Sequence, residues 1–411
     1  MIGYTTFTLS NGLKVISHHD PHTAMVALDI IYGVGGRDEH PDLTGIAHLF
    51  EHLMFGGSVN IPSFDAEVDR ASGTSNAWTS NDFTNFYEVV PAVNAETAFR
   101  LESDRMLQPL LSGRSLEVQK GVVTEEFKQM CLNRPYGDLM HHLRAMAYHT
   151  HPYRYPVIGK EPAHIERVTE EDAHNWFFSH YGPQNAVLAV CGNITPERVR
   201  ELAEKWFGDI PRRHTAPRLY GPEAPVTSPR NVTVTGRVTQ PSITVAFAMG
   251  GYKDSDYLSC DMITDLLGAG RSARLLRNLV MTNPLFTAAD ASITGSEEPG
   301  LLMLNARLTS TRAADIEKAR HLLIDEALKL ASAPVNEREM ATARNRYEAN
   351  HEFGLVGFLA KAQALALAGI HNEDINDAPR RYSEITPQHI MESAMRTIDP
   401  DKAMTLIYLP Q

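Results

Sequence analysis

Residues 168–190 read VTEEDAHNWFFSHYGPQNAVLAV, and residues 385–407 read ITPQHIMESAMRTIDPDKAMTLI. At a constant offset of 217, Val168 meets Ile385, Thr169 meets Thr386, Pro183 meets Pro400 and Ala186 meets Ala403. Each segment offers a threonine helix cap, a helix, a proline turn and an apolar strand, in that order. A second pair agrees. MVALDIIYGVGG (25–36) and SITVAFAMGG (242–251) are β-rich runs ending in Gly-Gly. Each is followed by an apolar helix ending in glycine, TGIAHLFEHLMFGG (44–57) and YLSCDMITDLLGAG (257–270). Matching order at nearly one offset predicts one domain written twice.

The copies meet at 211–228, PRRHTAPRLYGPEAPVTS, which holds four prolines and no clear periodicity. The expected division is a first domain at 1–210, a linker at 211–228 and a second domain at 229–411. Strands follow strands more often than they alternate with helices. That favours an α+β class, each domain an antiparallel-rich sheet with helices packed on one face. With 43% hydrophobic and 21% charged residues, the composition excludes a mostly disordered chain. No apolar run is long enough to predict a membrane span. A net charge of −12 argues against a nucleic-acid binder. The opening MIGYTTFTLSNGLKV has neither a basic nor an apolar leader region, so a cytoplasmic location is expected. A leader ahead of it would make the location periplasmic or secreted.

The first of the two matched helices carries chemistry. His48-Leu49-Phe50-Glu51-His52 is an H-x-x-E-H pattern. On a helix His48 and His52, four apart, project from one face and can bind one tetrahedral zinc. Glu51 shares that face and can take a proton from a water polarised by the metal. Two histidines leave a catalytic zinc one protein ligand short. A downstream acidic helix offers adjacent carboxylates, Glu125 and Glu126, of which only one can face the metal because helical neighbours differ by about 100°.

These residues resemble the M16, or pitrilysin-type, zinc metallopeptidases, a family that includes insulin-degrading enzyme and the mitochondrial processing peptidase. The resemblance runs through LSNGLKV, GVGGRDEHPDLTGIAHLFEHLMFGGS, GTSNAWTSNDFTNFYEVVP (73–91) and YGPQNAVLAVCGNITPERV (181–199). It implies two domains of the LuxS/MPP type, one zinc ion per chain, and hydrolysis of peptides or unfolded polypeptides held as an extended strand in an enclosed chamber. It implies His48, His52 and Glu126 as zinc ligands, with Glu125 as the fallback, and Glu51 as the catalytic base. It also implies a substrate-binding strand at 74–88, in which Asn76 contacts a substrate carbonyl, Ala77 and Trp78 offer backbone partners, and Trp78 shapes a pocket. Related chains often carry a glutamate seven residues before the third ligand. Here Gln119 stands there, which changes the hydrogen bonding behind the ligand rather than the ligand count.

The second copy lacks the chemistry. Asp261, Thr264 and Asp265 fall opposite His48, Glu51 and His52. The family's second half commonly supplies an Arg and a Tyr that polarise the substrate carbonyl, and here Val280 and Thr287 align with them, with Arg277 nearby. The expectation is therefore a dimer, including a heterodimer with a related chain that brings the Arg/Tyr pair. A different class remains open, a non-catalytic scaffold or subunit of an M16-type complex. The histidines at 18, 19 and 22, and at 141, 142, 149 and 151, read as loop or packing residues.

Overall fold

The apolar runs at 25–32 and 186–192 lack the alternation of a half-buried strand, so both faces of each need cover. In the computed structural model, which describes residues 1–218 and 220–411, both are central strands. Leu219, inside the expected 211–228 linker, lies outside the described residues. The chain forms two compact units. The first comprises Met1–Lys128, Tyr155–Tyr220 and Asn350–Ala378, and the second comprises Gln129–Arg154, Gly221–Ala349 and Pro379–Gln411.

The first unit contains β1 (Thr5–Thr8), β2 (Lys14–His19), β3 (Met25–Tyr32), β4 (Thr74–Thr79), β5 (Thr84–Pro91) and β6 (Ala186–Gly192). Their order in the sheet is β1-β2-β6-β3-β5-β4. All pairings are antiparallel except β2 with β6. The second unit contains β7 (Arg230–Gly236), β8 (Ser242–Met249), β9 (Phe286–Ile293), β10 (Gly300–Leu308) and β11 (Met404–Pro410), ordered β7-β11-β8-β10-β9. Here only β7 and β11 run parallel. Without β1, the first order maps strand for strand onto the second, so the written repeat is a folded one.

Helices α1 (Ile46–Leu53), α2 (Phe64–Arg70), α3 (Ala95–Leu107), α4 (Gly113–Phe127), α5 (Leu139–Ala147), α6 (Pro162–Glu166), α7 (Glu170–His180) and α8 (Pro196–Phe207) lie in the first half of the sequence. Helices α9 (Tyr257–Gly268), α10 (Ala313–Ser332), α11 (Glu337–Gly354), α12 (Phe358–His371), α13 (Ala378–Ser383) and α14 (Pro387–Thr397) lie in the second. The caps read from the sequence form. Thr169 accepts from Asp172 N at the start of α7, and Thr386 accepts from His389 N at the start of α14.

In the first unit, Val26, Leu28 and Ile30 of β3 pack with Leu49, Phe50 and Leu53 of α1, Phe99 of α3 and Phe177 of α7. Burying one such side chain stabilises by about 1.5–3 kcal/mol, so this layer holds α1 firmly on the sheet. The sheet's other face, Ala27, Ile31, Val187 and Ala189, meets Ala362, Leu365 and Ala366 of α12. The second unit repeats the scheme. Val245 and Phe247 pack with Met262 and Ile263 of α9 and Leu323 of α10. Ala246, Leu301 and Met404 on the opposite face meet Leu143 and Met146 of α5. Each sheet thus takes its second cover from the other half of the sequence, where helices on one face alone were expected. A cut at 211–228 separates each sheet from that cover. Among the described residues no single helix is long and apolar enough to cross a membrane.

Candidate metal centre

Helix α1 has only eight residues, and its ends are fixed by other groups. The buried Glu39 carboxylate accepts from Gly45 N at 2.8 Å and Ala47 N at 2.9 Å, so it ties down two of the orphan amides at the helix start. Gly45 takes φ +92, and a Cβ there would come within 2.6 Å of Ile165 Cδ1. Ile46, Ala47, Leu49, Phe50 and Leu53 face the core, which turns His48, Glu51 and His52 to the opposite side. The two imidazole centroids are 4.9 Å apart and the rings are perpendicular.

Helix α4 brings the third donor. Glu126 Oε2 lies 3.8 Å from His48 Nε2 and 3.3 Å from His52 Nε2. Glu125 instead pairs with Lys128 at 2.5 Å and is 65% exposed. One ligand atom from each of His48, His52 and Glu126 lies within 4.8 Å of the others, and among the described residues these three alone make such a group. A tetrahedral zinc with bonds of about 2.0–2.1 Å sets ligand atoms roughly 3.3–3.4 Å apart, so the donors fit that ion with little adjustment. Two imidazoles and one carboxylate leave a fourth position open, as hydrolytic zinc sites require. Burial holds the His48 imidazole down to about 4, against the pull of the Glu126 charge, so His48 is neutral and ready to donate a lone pair.

Glu51 is half-buried, and its Oε2 accepts a hydrogen bond from Thr79 Oγ1 at 2.6 Å. Burial raises its pKa, while the Thr79 hydroxyl and His52 favour the charged form. Thr79 ends β4, the edge strand of its sheet, paired only with β5. Strand alternation puts Ala77 on the face of Thr79 and α1, and Ala77 packs against that core. Asn76 is exposed, and its Oδ1 accepts from Ala77 N at 2.8 Å. The Trp78 side chain does not face the three donors, contrary to the expected pocket. It packs with the cluster on the sheet's other face, beside Phe83, because it sits one residue out of phase with Ala77 and Thr79. It therefore shapes no pocket at the three donors. Gln119 is half-buried on α4, two turns before Glu126 and on the same helical face.

Thr79 and Glu39 are the contacts that motif reading passed over. The period-2 phase of Ala77 and Thr79 carried a signal for the first, and an acid just ahead of a short helix carried one for the second. In the second unit, Val280 packs into the core and Thr287 Oγ1 donates to Gln240 Oε1 at 3.3 Å, so neither acts as an Arg or a Tyr could.

The chain matches the family model described as insulinase (peptidase family M16) over residues 14–161, and the model of the peptidase M16 inactive domain over residues 167–347. It is 30% identical over 283 residues to the zinc protease PqqE of Helicobacter pylori, covering 67% of this chain and 64% of that one. It is 30% identical over 220 residues to the uncharacterized zinc protease YmxG of Bacillus subtilis, covering 53% of each. The matched stretches thus span between about half and two thirds of these relatives. Among solved structures, a protease from Helicobacter pylori superposes with a TM-score of 0.92 over the whole of both chains at 24% identity.

Proposed function

Because this chain belongs to the M16 peptidase family, we propose that it is a zinc-dependent endopeptidase acting on peptides or unfolded polypeptides bound in extended form. The observation that carries this reading is the convergence of His48, His52 and Glu126, with Glu51 on the same short helix. A zinc ion held by those three residues would supply Lewis acidity, polarising a peptide carbonyl and lowering the pKa of water toward neutrality.

The remaining steps belong to side chains. Thr79 engages Oε2 of Glu51, which leaves Oε1 to accept the proton of the attacking water. Water oxygen bonds to the carbonyl carbon, the carbon–nitrogen bond breaks, and Glu51 returns the proton to the departing amine. The unpaired edge of β4 offers a backbone ladder to an extended substrate, which favours unfolded chains over folded ones. Asn76 is exposed on that edge, in phase with Trp78 rather than with Thr79, and its Nδ2 is the group it would offer to a substrate carbonyl. The Ala77 and Trp78 backbones would complete the strand addition, and Gln119 would bear on the hydrogen bonding around Glu126.

The residues at 280 and 287 support a further part of the proposal, a dimer in which a related partner chain supplies an arginine and a tyrosine. The test is cleavage of an unstructured, quenched-fluorescent peptide, with and without chelator, by the chain alone. Chelator-sensitive cleavage supports the peptidase and removes the need for a partner. An inert chain that holds zinc calls for the partner, and an inert chain that holds none favours the scaffold.

A further inference from the structure

In chain order, α9 follows β8 as α1 follows β3, and α11 follows α10 as α4 follows α3. The second unit therefore has its own version of the helix pair that gathers the metal donors in the first. Between α9, the 272–277 segment and α11 lies a cavity of about 380 Å³. Its walls include Asp265, Arg277, Arg338, Glu339 and Arg346. Where the first unit gathers two imidazoles and a carboxylate, the second gathers three guanidinium groups.

The two acids do not neutralise all of these. Glu339 is paired with an arginine outside the cavity lining, taking Arg274 Nε on Oε1 at 2.9 Å and Arg274 Nη2 on Oε2 at 2.8 Å. Asn336 Nδ2 adds a third donor at 2.7 Å. Arg277 comes no nearer to Glu339 than 4.0 Å and is half-exposed. Arg346 donates to Asp265 O and Ser272 Oγ, and its charge also favours the Asp265 carboxylate, so it is partly compensated and the uncompensated cations are Arg277 and Arg338. The Arg338 guanidinium has no hydrogen bond or ion pair among the described residues. A positive cavity in a chain of net charge −12 is a local field against the global one. Guanidinium forks match the geometry of carboxylate and phosphate oxygens and bind them in two-pronged fashion.

We propose that this cavity is an oxyanion site, taking a phosphate ion or the terminal carboxylate of a peptide on Arg277 and Arg338, with Arg346 at its floor. The site shares no residue with the metal centre and needs no peptidase activity.

The test is equilibrium dialysis of the purified full-length chain against radiolabelled inorganic phosphate. The expected result is saturable binding of one phosphate per chain, retained in Glu126→Gln and weakened at least about tenfold in the Arg277→Gln/Arg338→Gln double variant. Glutamine keeps bulk and polarity while removing charge, and Arg346, which ties the 272 turn to α9, stays in place. Competition then separates the sources. Displacement by a short peptide with a free C-terminus, but not by its amide, identifies the peptide carboxylate, and failure of both identifies phosphate itself. Binding unchanged in the double variant, binding lost in Glu126→Gln, or no saturable binding up to about 10 mM would overturn the proposal.

Discussion

Glu51 has one oxygen held and one available, and that asymmetry yields two predictions. Glu51→Gln should keep zinc at wild-type stoichiometry while lowering kcat by about 10²–10⁴-fold, measured by metal analysis beside peptide cleavage. Thr79→Val should lower kcat by roughly tenfold with little change in KM, and Thr79→Ser should restore most of it, because in the proposed mechanism the hydroxyl orients Glu51 rather than the substrate. Equal losses in Val and Ser variants would mean that Thr79 only packs. In the second unit, burial and the neighbouring Asp265 raise the Asp261 carboxyl to about 6. Its folded pKa exceeds its unfolded value, so the stability it contributes is present below about pH 4 and lost as pH rises through about 6. Asp261→Asn should raise stability at pH 7 by about 1–3 kcal/mol and flatten that part of the pH profile in denaturant titrations. The sequence made His48, Glu51 and His52 legible because helical spacing alone puts positions i, i+3 and i+4 on one face. Glu126 needed the family's register as well, since spacing cannot choose between adjacent acids on a helix. Thr79 and the true direction of Trp78 depend on which face of β4 lies under α1, and that is a tertiary fact.

Helix α1 is too short to be stable by itself, so its position depends on its ends and its buried stripe. Gly45→Ala should cost about 1–3 kcal/mol, through both the left-handed backbone and the contact with Ile165. Zinc affinity should fall with it, because His48 follows only three residues later, and both are readable from thermal melts with and without metal. Helix α4 runs directly into a π-helical turn at Lys128–Asn133, at whose start the chain passes from the first unit to the second. The Thr caps, the proline turns and the strand runs were readable because each rests on neighbouring residues. The π-helical turn was not, since no local pattern in 128–133 distinguishes it from continued α-helix.

For the whole molecule, the internal repeat predicted two α+β units, and two such units form. It did not predict that α5 and α12 change places, because an apolar helix carries no address for the sheet that it will cover. Each unit is nevertheless incomplete without a segment from the other half of the sequence. A fragment ending at residue 220 should therefore fail to fold cooperatively and should bind hydrophobic dyes, whereas adding residues 350–378 should restore a cooperative transition. Cooperative unfolding of the fragment alone would show that α12 is dispensable. The proposed function requires that His48, His52 and Glu126, which converge from α1 and α4, hold one metal ion. Its most direct test is zinc content per chain, by elemental analysis after dialysis against metal-free buffer. The wild type and Glu51→Gln should each hold one zinc, and His48→Ala and Glu126→Gln none. A wild-type chain without zinc, or full zinc retained after Glu126→Gln, would rule out this metal centre.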